Sequence, residues 1–272
     1  MSSSELRVIV VAHNAGDLLA RSVASAVDQA GADSVTIVDS GSSDGASEYV
    51  ARAYDGVSLI RVANRGFAAA NNVVLQDLGT TFALLLNPDA ILEPGALAVL
   101  VACAETHPRA AIVGPHTMDP DGGIQAGSYG RFPTLLRLLA LRAQRFRRRL
   151  SGGDGSGLPE FDRCTSVDWT TGACMLVRAR AIEEAGLMDE GYFLYFEDVD
   201  WCHRMRDAGW DVLVEPAARV VHYLGRSGAA SAVVAQAYRD SFYRYIEKYG
   251  LRGLGAVARV GLAVRRAFGG RS

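Results

Sequence analysis

The chain contains a single lysine, Lys248, so nearly all of its positive charge is arginine. That skew reads as the coding bias of a GC-rich genome rather than as function. The four cysteines, Cys103, Cys164, Cys174 and Cys202, show no CxxC spacing and no histidine at zinc-ligand spacing, so they read as reduced and structural. No apolar run approaches the ~18 residues that a membrane span requires. Residues 1–5 lack the basic start and apolar stretch of a secretory leader. The expectation is a cytoplasmic protein, still free to rest on a membrane surface. A net charge of −2 gives no reason to expect nucleic acid as a partner. Neither GxGxxG nor GxxxxGK(S/T) follows the first apolar run, which argues against a dinucleotide fold and a P-loop.

What is present is apolar residue in quantity, 49% of 272 positions, enough for one large α/β domain or one domain with an appendage. Apolar β-rich runs at 6–11, 34–38, 57–62 and 82–86 alternate with helical periodicity at 17–30, 43–54 and 67–78. That alternation predicts a mostly parallel, doubly wound sheet. Ligands of such sheets lie beyond the carboxyl ends of the strands. His13, Asn14, Asp39, Asn64, Asn87 and Asp89 all fall there. A helix at 94–106 and a strand at 111–113 come next, and the pattern turns irregular after Pro115. Later elements read as a helix at 198–208 closed by Gly209, short strands at 210–214 and 218–221, and helices at 231–249 and 254–268. The boundaries drawn are a sheet domain at 1–228 and a helical appendage at 229–272, with a basic helix and glycine-rich loop inserted at 131–157.

The most informative stretch runs Tyr192-Phe193-Leu194-Tyr195-Phe196 into Glu197, Asp198 and Asp200. Carboxylates against that much apolar surface are costly to ionise unless a cation or a proton-carrying substrate lies nearby. Acids in a helix's first turn offset the macrodipole, which accounts for one of the three. Asp89, in Asn87-Pro88-Asp89, also ends an apolar strand. A hard cation such as Mg²⁺ or Mn²⁺ takes carboxylate oxygen and bridges diphosphate oxygens. Two acidic stations suggest a metal-dependent transfer site, one station for the metal and one for the proton.

Weaker signals surround these. Asp39 is placed to accept from a ribose or base, or to serve turn chemistry. Asn64, Gly66 and Asn71 suit close approach of a polar ring, or an ordinary capped, alanine-rich helix. His222 gains meaning as a metal ligand only in combination. Arg131, Arg137, Arg142, Arg145, Arg147, Arg148 and Arg149 interleave with leucines. A basic amphipathic helix of that kind binds an anionic membrane surface, or presents a solvated face.

Taken together, the motifs resemble the inverting glycosyltransferases of family 2, with the GT-A fold, over roughly residues 6–228. The nearest likeness is to bacterial rhamnosyltransferases of cell-wall and polysaccharide assembly, through Val167-Asp168-Trp169, Gly172-Ala173-Cys174 and Phe196-Glu197-Asp198-Val199-Asp200. The resemblance implies that Ala12, His13, Asn14, Asp39 and Asn71 line a nucleotide pocket. It implies that Asp89 is the metal-binding acid of a DxD motif whose first position is here Asn87, with Mg²⁺ or Mn²⁺ as the ion. Asp198 would be the base, Trp169 and Gly172 would border the acceptor, and His222 would help hold metal or diphosphate. The implied partners are a nucleotide-diphosphate sugar, with dTDP-rhamnose as the specific expectation, and a polyprenyl-diphosphate-linked or glycan acceptor. A nucleotidyltransferase, or an idle nucleotide-sugar binder or membrane scaffold, is the alternative.

Overall fold

A computed structural model describes residues 5–132, 161–223 and 231–251. The glycine-rich loop, the helix expected at 254–268 and all of the basic segment beyond Phe132 lie outside the described residues. The first four apolar runs are β1 (Leu6–Ala12), β2 (Val35–Ser40), β3 (Ser58–Val62) and β4 (Phe82–Leu86). Between them lie α1 (Asp17–Ala30), α2 (Ala46–Ala53) and α3 (Phe67–Leu75). There follow β5 (Ala90–Leu92), α4 (Ala96–Thr106), β6 (Ala110–Met118), β7 (Tyr129–Gly130), β8 (Thr165–Ser166) and β9 (Trp169–Thr170). The chain continues with β10 (Cys174–Arg178), α5 (Ala179–Ala185), α6 (Glu197–Asp207), β11 (Asp211–His222) and α7 (Ser231–Lys248).

The main sheet runs in the order β3, β2, β1, β4, β10, β6, β11, β5, with β8 joining β11 as a ninth strand. Period-two alternation sends neighbouring residues of β1 into opposite cores. Val8, Val10 and Ala12 pack with Leu19 and Val23 of α1 and Leu100 of α4. Ile9 and Val11 pack with Ala68 and Ala70 of α3 and Trp201 and Met205 of α6. Both faces are therefore covered, as the doubly wound reading requires.

Strands β3, β2, β1 and β4 are parallel. Beyond β4 the sheet is mixed: β10 is antiparallel to both β4 and β6. Cys174 opens β10 opposite Leu86, the last residue of β4. The chain thus enters β10 from the carboxyl edge and runs back, leaving Gly172 and Ala173 on the edge where ligands bind.

Pro115 does not end its strand. It lies opposite Glu215, and the β6–β11 ladder resumes only at His116 and Arg219. Proline donates no N–H, so it is accommodated where a bulge interrupts the ladder. The two short strands expected at 210–214 and 218–221 are consequently one strand bent at this bulge. That continuity carries His222 to the β5 edge, where it pairs with Ala90.

The C-terminal helix α7 is fastened to the sheet domain. Tyr245 is buried with Tyr192 and Val199, and Ser241 Oγ donates to the Leu194 carbonyl at 2.8 Å. Among the described residues, no helix is long and apolar enough to cross a membrane.

Candidate active site

The β5–β11 pairing seats His222 beside Asp89, with Nε2 3.1 Å from Asp89 Oδ1. The orientation of the imidazole follows from its other neighbour. Gln125 Nε2 donates to Asp119 Oδ1 at 2.8 Å and to the His222 carbonyl at 3.1 Å. Both of those partners only accept, so Gln125 Oε1 is the atom that faces His222 Nδ1, at 2.7 Å. Nδ1 then donates to Gln125, and Nε2 is the ring nitrogen that faces Asp89. Asn87 Nδ2 stands 3.4 Å from the same Nε2. Sequence reasoning missed Gln125: it lies just past a turn, and no local signal ties it to a histidine 97 positions away.

The second station sits at the start of α6. Tyr195 and Phe196 precede it with φ of 68° and 67°, a left-handed geometry that non-glycine residues rarely take. Asp198 is half-buried. Its Oδ2 accepts from Gly172 N–H at 2.9 Å, and its Oδ1 from its neighbour Val199 N–H at 2.8 Å. Burial pushes the Asp198 carboxyl above its usual range, and those N–H groups offset only part of the shift. Glu197 is 5% exposed, and its Oε2 has no hydrogen-bond partner. Burial, then the charge of Asp198, raises its carboxyl well above the ordinary value.

Residues 172 and 173 join the stations. Gly172 N–H holds Asp198, and the Ala173 carbonyl accepts from Asn87 N–H at 2.9 Å. A side chain at Gly172 would press on the Phe67 ring and the Asp198 Cβ.

Asp200 is not part of this site. It is fully buried and takes Tyr192 OH at 3.2 Å, Tyr249 OH at 3.0 Å, Arg204 Nε at 3.0 Å and Lys248 Nζ at 2.7 Å. Two positions past Asp198 on a helix is just over half a turn, so the two carboxylates point apart. Asp200 and the lone lysine clamp α7 onto α6. Lys248 also reaches Asp189 at 2.7 Å. Burial opposes ionisation of Asp189, but Lys248, the Gly191 N–H and Arg244 prevail and hold its carboxyl at about 2.

The loops after β1, β2 and β3 hold one another at the carboxyl edge of the parallel strands. Ala12 and Asp39 are register partners. His13 Nδ1 donates to the Ser40 carbonyl at 2.8 Å. Asn14, with φ of 49°, accepts from Ser43 N–H at 2.8 Å, and Asp39 Oδ1 caps Ser42 N–H at 3.0 Å. Asn64 Oδ1 accepts from Gly66 N–H at 3.2 Å. Gly66 has φ of 101°, and a Cβ there would overlap the Phe193 carbonyl. Asn71 is fully buried, donates to the Phe67 carbonyl at 3.0 Å and leaves Oδ1 without a partner.

Trp169 Nε1 donates to the Arg131 carbonyl at 3.3 Å, while Arg131 itself pairs with Asp168 at 2.9 Å. The first of the seven arginines is thus tied to the fold. Two tyrosines that sequence reasoning left out belong near the stations. Tyr238 of α7 packs edge-on against Tyr195 and Phe196, at 5.6 Å and 5.4 Å between ring centroids. Burial raises the hydroxyl pKa of both tyrosines, followed by the charges of Glu197 and Asp89 for Tyr195 and of Asp198 for Tyr238.

A family profile described as "Glycosyltransferase like family 2" matches residues 4–242. The N-acetylglucosaminyl-diphospho-decaprenol L-rhamnosyltransferase of Mycobacterium tuberculosis is 31% identical over 259 residues, 89% of this chain and 83% of that protein. The rhamnosyltransferase WbbL of Escherichia coli is 26% identical over 72% of this chain and 75% of its own length. Among solved structures, GalNAc-T7 with UDP, GalNAc and Mn²⁺ superposes with a TM-score of 0.63 at 17% identity. That match covers 89% of this chain and 47% of the GalNAc-T7 chain, so the present chain spans about half of it.

Proposed function

The chain belongs to glycosyltransferase family 2, with the GT-A fold, and on that premise we propose that it moves L-rhamnose from dTDP-rhamnose to a hydroxyl of a polyprenyl-diphosphate-linked glycan. Sugar transfer from a nucleotide donor follows from the family, which also sets aside the nucleotidyltransferase and idle-scaffold alternatives. The choice of rhamnose is supported by the names of two relatives that cover most of the chain, and that of a lipid-linked acceptor by the name of the mycobacterial one. The observation that carries the assignment of roles is the pair of stations joined through Gly172 and Ala173.

Asp198 is the base. Its carboxyl prefers the proton more than a free aspartate does, which suits a group that accepts one from an attacking hydroxyl. That hydroxyl attacks the anomeric carbon while the nucleotide diphosphate leaves, and one displacement inverts the configuration. Gly172 N–H and Val199 N–H keep the carboxylate aimed during the transfer. Burial raises the Glu197 carboxyl behind it, so Glu197 resists adding a second negative charge beside Asp198. Trp169, Gly172 and Tyr238 border the acceptor, with Tyr238 offering an aromatic face to a sugar ring. Ala12, His13, Asn14, Asp39, Asn64, Gly66, Asn71 and Asn87 line the nucleotide side.

A divalent cation fits at Asp89 and His222. Neighbouring ligand atoms on an octahedral ion with bonds of about 2.1 Å stand roughly 3.0 Å apart, close to the 3.1 Å between Nε2 and Oδ1. An imidazole beside a carboxylate suits Mn²⁺ better than Mg²⁺. When bound, such an ion offsets charge on the departing diphosphate.

The experiment is a transfer assay with dTDP-rhamnose and N-acetylglucosaminyl-diphosphoprenol, using other nucleotide sugars as controls and NMR to read the anomeric configuration. An inverted rhamnosyl product is expected. Turnover of another donor alone would replace the sugar, and a retained configuration would remove Asp198 from its role. We also assign the segment 131–150 to an anionic membrane surface. Binding to anionic liposomes at low salt, weakened at high salt, is expected; no binding would favour a soluble acceptor.

A further inference from the structure

On the face of the sheet covered by α4, four side chains of metal-ligating type converge away from both acidic stations. Cys103 lies in the last turn of α4, and His107 follows one helical turn later, at its C-terminal end. Cys164 arrives from the segment just before β8, and Glu215 from the bulge opposite Pro115. The sulfurs are 3.2 Å apart, and His107 Nδ1 is 3.8 Å from Cys103 Sγ. One ligand atom from each of Cys103, His107 and Cys164 lies within 4.8 Å of the others. Glu215, held by Ala217 N–H at 3.0 Å, places its charge near both thiols and opposes their ionisation. The sequence spacing hid this group: Cys103 and His107 are close in the chain, but their partners stand 61 and 112 positions beyond Cys103.

We propose that Cys103, Cys164 and His107 form a structural site for Zn²⁺ or a similarly thiophilic divalent ion, with solvent in the remaining position. A disulfide would use only the two cysteines and leave the convergence of His107 without purpose. The sulfur separation points the same way. Tetrahedral zinc with Zn–S bonds of about 2.3 Å places two sulfurs roughly 3.8 Å apart, an opening of about 0.6 Å from the observed geometry. A disulfide at about 2.05 Å would need nearly twice that movement in the other direction. Charge agrees as well. A carboxylate near two thiols opposes their ionisation, whereas a divalent cation between the thiolates would offset the charge of all three groups.

On binding, the two thiol protons leave to solvent. His107 Nδ1, which now faces the Cys103 carbonyl at 2.9 Å, passes its proton to the exposed Nε2 as it becomes a ligand. The ion would lock the end of α4 to the segment that leads into β8.

The test is titration of the reduced, full-length protein with Co²⁺ as a spectroscopic stand-in. One sulfur-ligated ion per chain is expected, seen as sulfur-to-cobalt charge-transfer absorption that saturates at one equivalent and is displaced by Zn²⁺ with release of protons. The Asp89–His222 pair contains no sulfur and cannot produce that absorption, so His222→Ala should retain it. Cys103→Ser and Cys164→Ser should each lose it, and zinc should protect both thiols of the wild type from alkylation. The wild-type spectrum decides the matter even if a variant folds poorly. Absence of the charge-transfer band at stoichiometric cobalt would overturn the proposal. So would a Cys103–Cys164 disulfide found by mass in protein purified without reductant and unaffected by zinc.

Discussion

The two acidic stations are bridged by a dipeptide, yet they are built on opposite plans. At Asp89 the carboxylate meets an imidazole that is oriented by a glutamine, itself oriented by Asp119. At Glu197 and Asp198 the carboxylates meet only backbone N–H groups, and one buried oxygen of Glu197 meets nothing. The first plan fixes a ring nitrogen and a carboxylate side by side. The second leaves a carboxyl whose burial favours the proton. On the proposed roles, a buried acid with charged side-chain partners is an anchor and one held only by backbone N–H groups is a reagent, and Asp200 shows the anchor form two residues from the reagent.

Breaking the reagent should have the largest effect. Asp198→Asn keeps the shape and removes the proton acceptor, so kcat should fall by roughly 10²–10⁴-fold while donor KM moves little. Steady-state kinetics with donor and acceptor varied separately checks this, and near-normal turnover would transfer the role to Glu197.

Breaking the anchor beside it should damage stability instead. Asp200→Asn leaves Lys248 and Arg204 without their shared carboxylate and should cost about 3–5 kcal/mol, measured by urea unfolding. The rate per folded molecule should stay within a few-fold of wild type, and a collapse of kcat in stable protein would return Asp200 to the catalytic group.

Loosening the first station from behind should be milder. Gln125→Ala removes the group that orients His222 and should weaken Mn²⁺ binding about 10–100-fold, read from the metal dependence of the rate or by calorimetry. Unchanged affinity would mean that His222 needs no orienting partner.

The smallest effect sharpens the contrast through pH. The folded-state pKa of Glu197 is raised, so between its unfolded and folded values the native state binds more protons. Its contribution to stability is full below the unfolded pKa and is lost as pH rises through the folded one. Glu197→Gln should therefore raise Tm at neutral pH, by about 2–4 °C for each kcal/mol relieved, and flatten the fall of Tm with pH. A lower Tm at neutral pH, measured by calorimetry across the pH range, would show that the carboxylate is stabilised by something the static contacts lack.

The parallel half of the fold was legible because each of its strands is a short apolar run with a periodic helix after it, so local pattern and tertiary role agree. Beyond Pro115 they part. The reversal of β10 depends on where the chain enters the sheet, and the unity of β11 depends on a bulge opposite a proline. Neither leaves a local trace. The site followed the same rule: Asp89 and Asp198 were legible as acids at element ends. Asp200 sits in the same run of sequence and faces the other way, because helix phase, not composition, decides which acid reaches the cleft. Gln125 and Tyr238 enter only through tertiary contacts.

The link through Gly172 and Ala173 has a consequence for how the enzyme tolerates change. Two residues of extended chain span at most ~7 Å, and their covalent geometry does not stretch with temperature, crowding or the packing of nearby helices. On the proposed roles, the interval between the base and the departing phosphate is thus gauged by bonded atoms rather than by soft contacts. An inserted or deleted residue between Thr171 and Cys174 would shift the Gly172 N–H that holds Asp198 relative to the Ala173 carbonyl that holds Asn87.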